Sequence, residues 1–303
     1  MSKLLSIDPV AFIIFGLEIR WYAIFITSAL VVCLVLASLE ARRRGVNTDI
    51  VLELFIWCVP IAVVMARIFY VLSHPESYFP LHDSSDWFEL INIRHGGLTI
   101  IGAIFGALIG AIIVCRLRKK NFLEIVDFGV PFLLLGQALG RWGNFINQEA
   151  YGKVVTSEFF KRFPLGVFID YTAKWHYATF FYEMVLNFIG FIVLYMVGRK
   201  TRKRGVIAAM YFVWYGIVRG LMEFIREDAV IVNGVYITQV GCFIAACIGI
   251  IIISMIQLKI INTGTSNMLL PDRINEAIST DTKIITQEFN EKEEEEEEEK
   301  AKK

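Results

Sequence analysis

An all-α fold threaded seven times through a membrane is what this sequence predicts, and three observations carry it. The 303 residues are 56% hydrophobic, with a mean hydropathy of +0.56, which excludes an ordinary soluble domain. Apolar runs of about 20 residues, the length a helix needs to cross the hydrocarbon core, recur along the chain. The connections between them alternate between strongly basic and aromatic.

The first run, 21–39, carries no charge, and the second, 54–72, contains Arg67. The third, 96–115, is uncharged; the fourth, 122–140, has acids only near its start. The fifth, 177–198, encloses Glu183, and the sixth, 205–225, encloses Arg219 and Glu223. The seventh lies in the C-terminal two-thirds of the uncharged stretch 229–258. Three connections are basic: Arg42-Arg43-Arg44, Arg116-Leu117-Arg118-Lys119-Lys120 and Arg199-Lys200-Thr201-Arg202-Lys203-Arg204. The positive-inside rule makes these cytoplasmic. Connections 73–95, 141–176 and 226–237 then face outward, with the N-terminus outside and the C-terminus in the cytoplasm. Such a protein is a multi-pass component of a cell membrane, and its first partner is the lipid bilayer. No cleavable signal peptide is evident.

Residues 1–261 form the membrane domain and 262–303 a polar tail. From Asp272 onward there are twelve acids against six bases, a net of −6, including seven consecutive glutamates at 293–299. A run of that kind stays solvated and disordered. The five cysteines fall in or at the ends of apolar runs and read as small hydrophobes. The four histidines lack metal-ligand spacing. Gly102, Gly106 and Gly110, and further on Gly136 and Gly140, form small-xxx-small faces for close helix packing.

Chemistry concentrates in Gly140-Arg141-Trp142-Gly143-Asn144-Phe145-Ile146-Asn147-Gln148-Glu149-Ala150-Tyr151-Gly152. A guanidinium, two carboxamides and a carboxylate are spaced by glycines there, where the fourth apolar run is expected to end. In the sixth run, Arg219, Glu223 and Arg226 are four and three residues apart, on one helical stripe. Each charge costs about 2.5–3.5 kcal/mol at mid-membrane. An i,i+4 ion pair of Arg219 with Glu223 offsets part of that. Together with Arg141 the stripe sets two or three guanidiniums where a lipid phosphate fits, since the arginine fork makes paired hydrogen bonds to phosphate oxygens.

The first of these stretches resembles the G-R-x-G-N-F-x-N-x-E-x-x-G signature of the bacterial prolipoprotein diacylglyceryl transferase family. The resemblance continues through Arg20-Trp21-Tyr22, Ala66-Arg67-Ile68-Phe69-Tyr70, Thr179-Phe180-Phe181-Tyr182-Glu183, Trp214-Tyr215-Gly216, Arg219/Glu223/Arg226 and Gln239, covering roughly residues 12–258. It implies transfer of the sn-1,2-diacylglyceryl group of phosphatidylglycerol to the lipobox cysteine thiol of a prolipoprotein, with glycerol phosphate leaving. The implied partners are phosphatidylglycerol and prolipoprotein signal peptides. No metal or organic cofactor and no nucleic acid is implied. Arg141 and Arg219 are the candidates to activate the thiol and neutralise the phosphate. Asn144 and Asn147 donate to phosphate or glycerol oxygens, with Arg226 beside them. Glu149 and Glu223 orient the arginines, or one takes the thiol proton. Tyr22 reaches the head group, and Gly152 supplies a backbone conformation closed to other residues. The family's G-G-x-x-x-[His/Tyr]-G-G pattern fits Gly96-Gly97-Leu98-Thr99-Ile100-Ile101-Gly102-Ala103, which sets Ile101 where the His or Tyr belongs. The other reading takes His95-Gly96-Gly97-Leu98 as the family's His-Gly-Gly and leaves His95 as a proton acceptor. A transporter for an anionic substrate is the rival function, because intramembrane charges also mark transport pathways. A module that only binds lipid is a third.

Overall fold

The computed structural model describes residues 9–14, 16–79, 84–93, 96–201, 203–229 and 231–266. His95 and the acidic run 293–299 lie outside the described residues.

Seven long helices form the body: α1 (Trp21–Arg43), α2 (Thr48–Ser73), α4 (Ile100–Leu117), α5 (Phe122–Ile146), α6 (Thr179–Gly198), α7 (Val206–Met222) and α8 (Ile237–Gln257). A short α3 (Ser84–Ile91) lies between α2 and α4. Six of the seven are long and apolar enough to cross a membrane; α7, with 17 residues, is shorter. The chain is therefore a polytopic membrane protein by length and composition. Strongly exposed aliphatic positions such as Val31, Leu52, Ile104, Ile192 and Ile251 suit contact with lipid.

The expectation of a purely helical protein needs one correction. Among the described residues three antiparallel hairpins are present: β1 (Val10–Ile14) with β2 (Leu17–Arg20), β3 (Gly166–Ile169) with β4 (Lys174–Tyr177), and β5 (Ile231–Val232) with β6 (Val235–Tyr236). Each pairs its own backbone, the first ahead of α1 and the others in the α5–α6 and α7–α8 connections, which satisfies donors and acceptors that a loop at a membrane surface would leave open. All three sit at one end of the bundle. The basic connections sit at the other, where Arg44 meets Glu40, Arg118 meets Glu53 and Arg204 meets Glu124.

Local signals set the helix ends. Asn47 and Asn121 cap α2 and α5, accepting from Asp49 N at 2.8 Å and Leu123 N at 2.9 Å. Asp127, inside α5, caps a different helix: its carboxylate accepts from Gly205 N at 2.6 Å and Ala208 N at 2.8 Å at the start of α7. Helix α4 begins at Ile100, not at Gly96, because Gly96 and Gly97 adopt φ of +90° and +80°. Helix α5 runs on to Ile146 instead of stopping at Gly140, so Arg141 and Asn144 are helical residues. Helix α7 ends at Met222, and Arg226 stands beyond it.

The small-residue face of α4 does what its spacing predicts. A Cβ on Gly102, Gly106 or Gly110 would lie 2.3–2.7 Å from backbone atoms of Met65, Ile61, Ala62 or Cys58 in α2, so the two helix backbones nearly touch. Helix α5 is the centre of the bundle, packing against α1, α6 and α7. Its Val130 and Leu134 close on Leu194 and Ile207 below the charged end.

Candidate active site

The charged end is organised by Glu183, buried in the second turn of α6 at 2% exposure. A lone carboxylate there is costly, and the fold brings three guanidiniums to it from three places. Arg141 of α5 donates through Nη2 to Glu183 Oε2. Arg219 of α7 donates through Nη1 to Oε1 at 3.4 Å, and Arg226 through its Nη1 to the same oxygen at 3.2 Å. Glu223, 1% exposed, sits with Oε2 3.1 Å from Arg219 Nη2.

A second layer faces outward from Arg141. Its Nη1 donates to Asn144 Oδ1 at 3.3 Å, and Asn144 Nδ2 donates to Glu149 Oε1 at 2.8 Å. Asn147 Nδ2 reaches that oxygen at 3.5 Å. Tyr22, at the start of α1, lays its ring where a Cβ on Gly143 would sit 2.7 Å from it, within the fields of Arg141 and Glu149. Glycine at 143 is what lets that ring approach.

The turn after α5 is tied to the β3–β4 hairpin. Gln148 donates through Nε2 to Asp170 Oδ2 at 2.8 Å and accepts from Asp170 N at 2.8 Å. Thr179 donates to Ala150 O at 2.6 Å. His176, 2% exposed, donates from Nδ1 to Gly152 O at 2.7 Å, and its Nε2 is hydrogen-bonded to the Thr172 hydroxyl at 2.8 Å. Because a carbonyl only accepts, Nδ1 carries the proton in that bond, and with both ring nitrogens engaged His176 is a structural residue.

The sequence that builds this charged end is similar to that of named proteins. Residues 9–255 match the family described as prolipoprotein diacylglyceryl transferase. The chain belongs to that family. It is 37% identical over 255 residues to phosphatidylglycerol–prolipoprotein diacylglyceryl transferase 1 of Clostridium perfringens (strain 13 / Type A), covering 82% of this chain and 94% of that one. The transferase of Listeria monocytogenes serotype 4b (strain CLIP80459) is 37% identical over 252 residues, 81% and 89% of the two chains. That of Clostridium novyi (strain NT) is 36% identical over 256 residues, 83% and 97%.

The family signature thus maps onto the end of α5 and the turn behind it, and the structure sorts its members. Arg141, Arg219, Glu223 and Arg226 converge on or beside Glu183; Asn144, Asn147 and Glu149 form the outer layer; Tyr22 closes one side. Three roles differ from the sequence reading. Glu149 holds the two asparagines rather than an arginine. Arg226 is not on the α7 stripe; it forms a backbone bridge to Gly152, and Asp228 accepts from its Nε at 2.8 Å and its Nη2 at 2.5 Å. With a 7% exposed side chain, its fork is already committed. Gly152 has no left-handed conformation to supply. Its role is space, since a Cβ there would lie 2.7 Å from Ile225 O.

Glu183 is the member sequence reasoning undervalued. Its signal was present, an acid inside an uncharged helix, but nothing along the chain says that three distant arginines meet it. Tyr215, one turn before Arg219, also feels the charges of Arg219, Glu183 and Arg141. Arg67 lies elsewhere. It donates to the carbonyls of Glu89, Leu90, Gly96 and Gly97 at 2.5–3.1 Å and lies against the rings of Tyr70 and Tyr78. It therefore clamps the backbone leading to α4. Ile101, in the first turn of α4, is 59% exposed.

Outside the spans, Asp228 has a clear electrostatic state. Burial opposes its ionisation, but the hydrogen bonds and charge of Arg226 outweigh that and hold its carboxyl below the usual carboxylate range.

Proposed function

We propose that this protein transfers the sn-1,2-diacylglyceryl group of phosphatidylglycerol to the cysteine thiol of a prolipoprotein lipobox. Family membership sets the transporter and lipid-binding readings aside. The observation that carries the chemistry is the pairing of Arg141 and Arg219 on one buried carboxylate, with side chains that are still 21% and 17% exposed.

The thiolate sulfur attacks the glycerol carbon that bears the phosphate. A carbon–sulfur bond forms, the carbon–oxygen bond breaks, and its electron pair leaves on the phosphate of glycerol phosphate. A free cysteine with a pKa of about 8.5 is only about 3% thiolate at pH 7. A neighbouring guanidinium raises that fraction, and a second stabilises charge on the departing phosphate. Arg141 and Arg219 are assigned these two tasks. Asn144 and Asn147 hold head-group oxygens, with Glu149 fixing both carboxamides. Glu183, Glu223 and Arg226 keep the two working guanidiniums in place, and Tyr22 flanks the head group. Glu149 and His95 are the candidates to take the thiol proton.

Seven spans, with α7 the seventh, agree with a basic connection following α1, α4 and α6. Seventeen residues of helix rise about 26 Å, short of the roughly 30 Å core by an amount that tilt of its neighbours or local thinning accommodates. The positive-inside rule then puts the Arg141 centre at the outer face of the bacterial cytoplasmic membrane, with residues 262–303 in the cytoplasm. The test is transfer of radiolabelled lipid to a lipobox peptide by the purified protein. Thioether-linked label is expected; label that stays in free lipid under conditions where the peptide binds overturns the reading.

A further inference from the structure

Between the Arg141 centre and the apolar Leu134–Leu194 level lies a polar layer that the transfer chemistry does not use. Gln137 is one turn below Arg141 on α5, and Asn187 one turn below Glu183 on α6. The two helices run antiparallel, with Arg141 against Glu183 and Leu134 packed with Leu194, which brings Gln137 and Asn187 to the same depth. Gln137 Nε2 donates to the Tyr211 hydroxyl at 2.9 Å. Its Oε1 is buried without a partner, and so is Oδ1 of Asn187, a residue only 2% exposed. Unpaired buried carbonyl groups cost stability, and two at one level leave unused hydrogen-bonding capacity.

An open strip of α5 runs beside this layer. Helices α1 and α7 both pack on α5 but hardly touch each other. The strip of α5 between them, through Asn144, Arg141, Gln137 and Leu133, is half-buried or open, and Leu133 is the one exposed residue of α5. Gly136 and Gly140 add no side chains to it. Along this strip guanidinium gives way to amide and then to hydrocarbon. A phospholipid in its bilayer orientation has the same order: phosphate, ester carbonyls, acyl chains. One helical turn is about 5–6 Å, a match for the phosphate-to-ester distance along the lipid.

We propose that Gln137 and Asn187 form an ester-carbonyl site for the lipid donor, an inference that rests on the transferase reading above. The Tyr211 hydroxyl donates as readily as it accepts. Gln137 can therefore turn its amide, take a hydrogen bond from Tyr211 at Oε1, and present Nε2 to a carbonyl. Asn187 has the same freedom. The grip fixes the glycerol backbone one turn below the phosphate and so aims the reacting carbon at the incoming thiolate.

The experiment compares diester phosphatidylglycerol with its diether analogue, which keeps the phosphate and head group but lacks the carbonyls. With the full chain in lipid nanodiscs, transfer to a lipobox peptide should favour the diester by about five- to tenfold, the worth of one net hydrogen bond. In Gln137→Leu that ratio should fall to about one. Tyr211→Phe, which leaves the amide in place but unheld, should give an intermediate ratio and serves if Gln137→Leu folds poorly. A wild-type ratio near one, or a ratio that survives both substitutions, overturns the proposal and leaves the amides holding buried water only. If neither lipid supports transfer, the transferase reading fails instead. Competition of the two lipids for the protein, read by native mass spectrometry, then still decides whether the carbonyls are recognised.

Discussion

Two buried carboxylates, one at each end of the bundle, are built from similar parts and do different things. Glu40, near the basic connections, is 3% exposed, and Glu183 is 2% exposed. Glu40 accepts from Arg43 at 2.7 Å, from Arg44 at 2.6 Å and from Tyr195 at 2.6 Å. Both arginines are within four residues of it on the same helix, so one turn of α1 makes most of the cluster and Tyr195 fastens it to α6. Its guanidinium partners lead out to water, with Arg43 45% exposed. Glu183 instead takes one arginine from α5, one from α7 and one from beyond α7. A local cluster neutralises a charge. A cluster assembled from several elements also fixes the geometry of its cations relative to one another.

The widest separation of the two should come from Glu183→Gln against Glu40→Gln. Removing the Glu183 charge leaves three guanidiniums with too little countercharge. Breaking a buried pair costs about 3–5 kcal/mol, and transfer should fall by about 10²-fold or more as the arginines lose their placement. Glu40→Gln should lower the unfolding midpoint but leave transfer within about twofold, because nothing there touches the reacting atoms. Rates and thermal melts of both variants check this; equal loss of transfer would erase the distinction.

Next in size is Arg141→Lys. An ammonium cannot hold Glu183 and Asn144 at once and still offer a fork to phosphate. A loss of about 10²-fold in transfer with little change in melting is expected. Near-native turnover would show that a point charge suffices. Gly152→Ala is smaller. Its new methyl meets Ile225 O, and such overpacking costs about 1–3 kcal/mol. The bridge that seats Arg226 should loosen, giving a lower melting temperature and a partial loss of transfer that a closer look at Arg226→Ala should match.

The smallest effect concerns acid. The folded-state carboxyl of Asp228 is held low, so its contribution is complete above the unfolded value of about 3.9 and is lost as pH falls through the folded value. Asp228→Asn should therefore lower stability at pH 7 and flatten the profile below about pH 4, where the two proteins converge. Acid titration of unfolding for both proteins reads it, and an unchanged acid limb would mean that the Arg226–Asp228 contact has no energetic role.

Much of this protein was legible from its residues because a bilayer imposes strong local rules. Apolar length marked six helices able to cross a membrane, and the spacing of Gly102, Gly106 and Gly110 predicted a close helix contact that α2 supplies. The run from Gly140 to Gly152 likewise marked where polar groups gather at the end of α5. What the chain did not show were facts of convergence. Arg141, Arg219 and Arg226 are far apart in sequence, and only the packing of α5, α6 and α7 makes Glu183 their common partner. The hairpins escaped notice because two- to five-residue strands carry little periodicity. Gly152 was credited with an unusual backbone, when the reason for glycine is a carbonyl from another element lying where a Cβ would be. Hydrophobicity and charge act on each residue where it stands, so sequence reports them. Space and partners belong to pairs of residues, and those pairs exist only after the chain has folded.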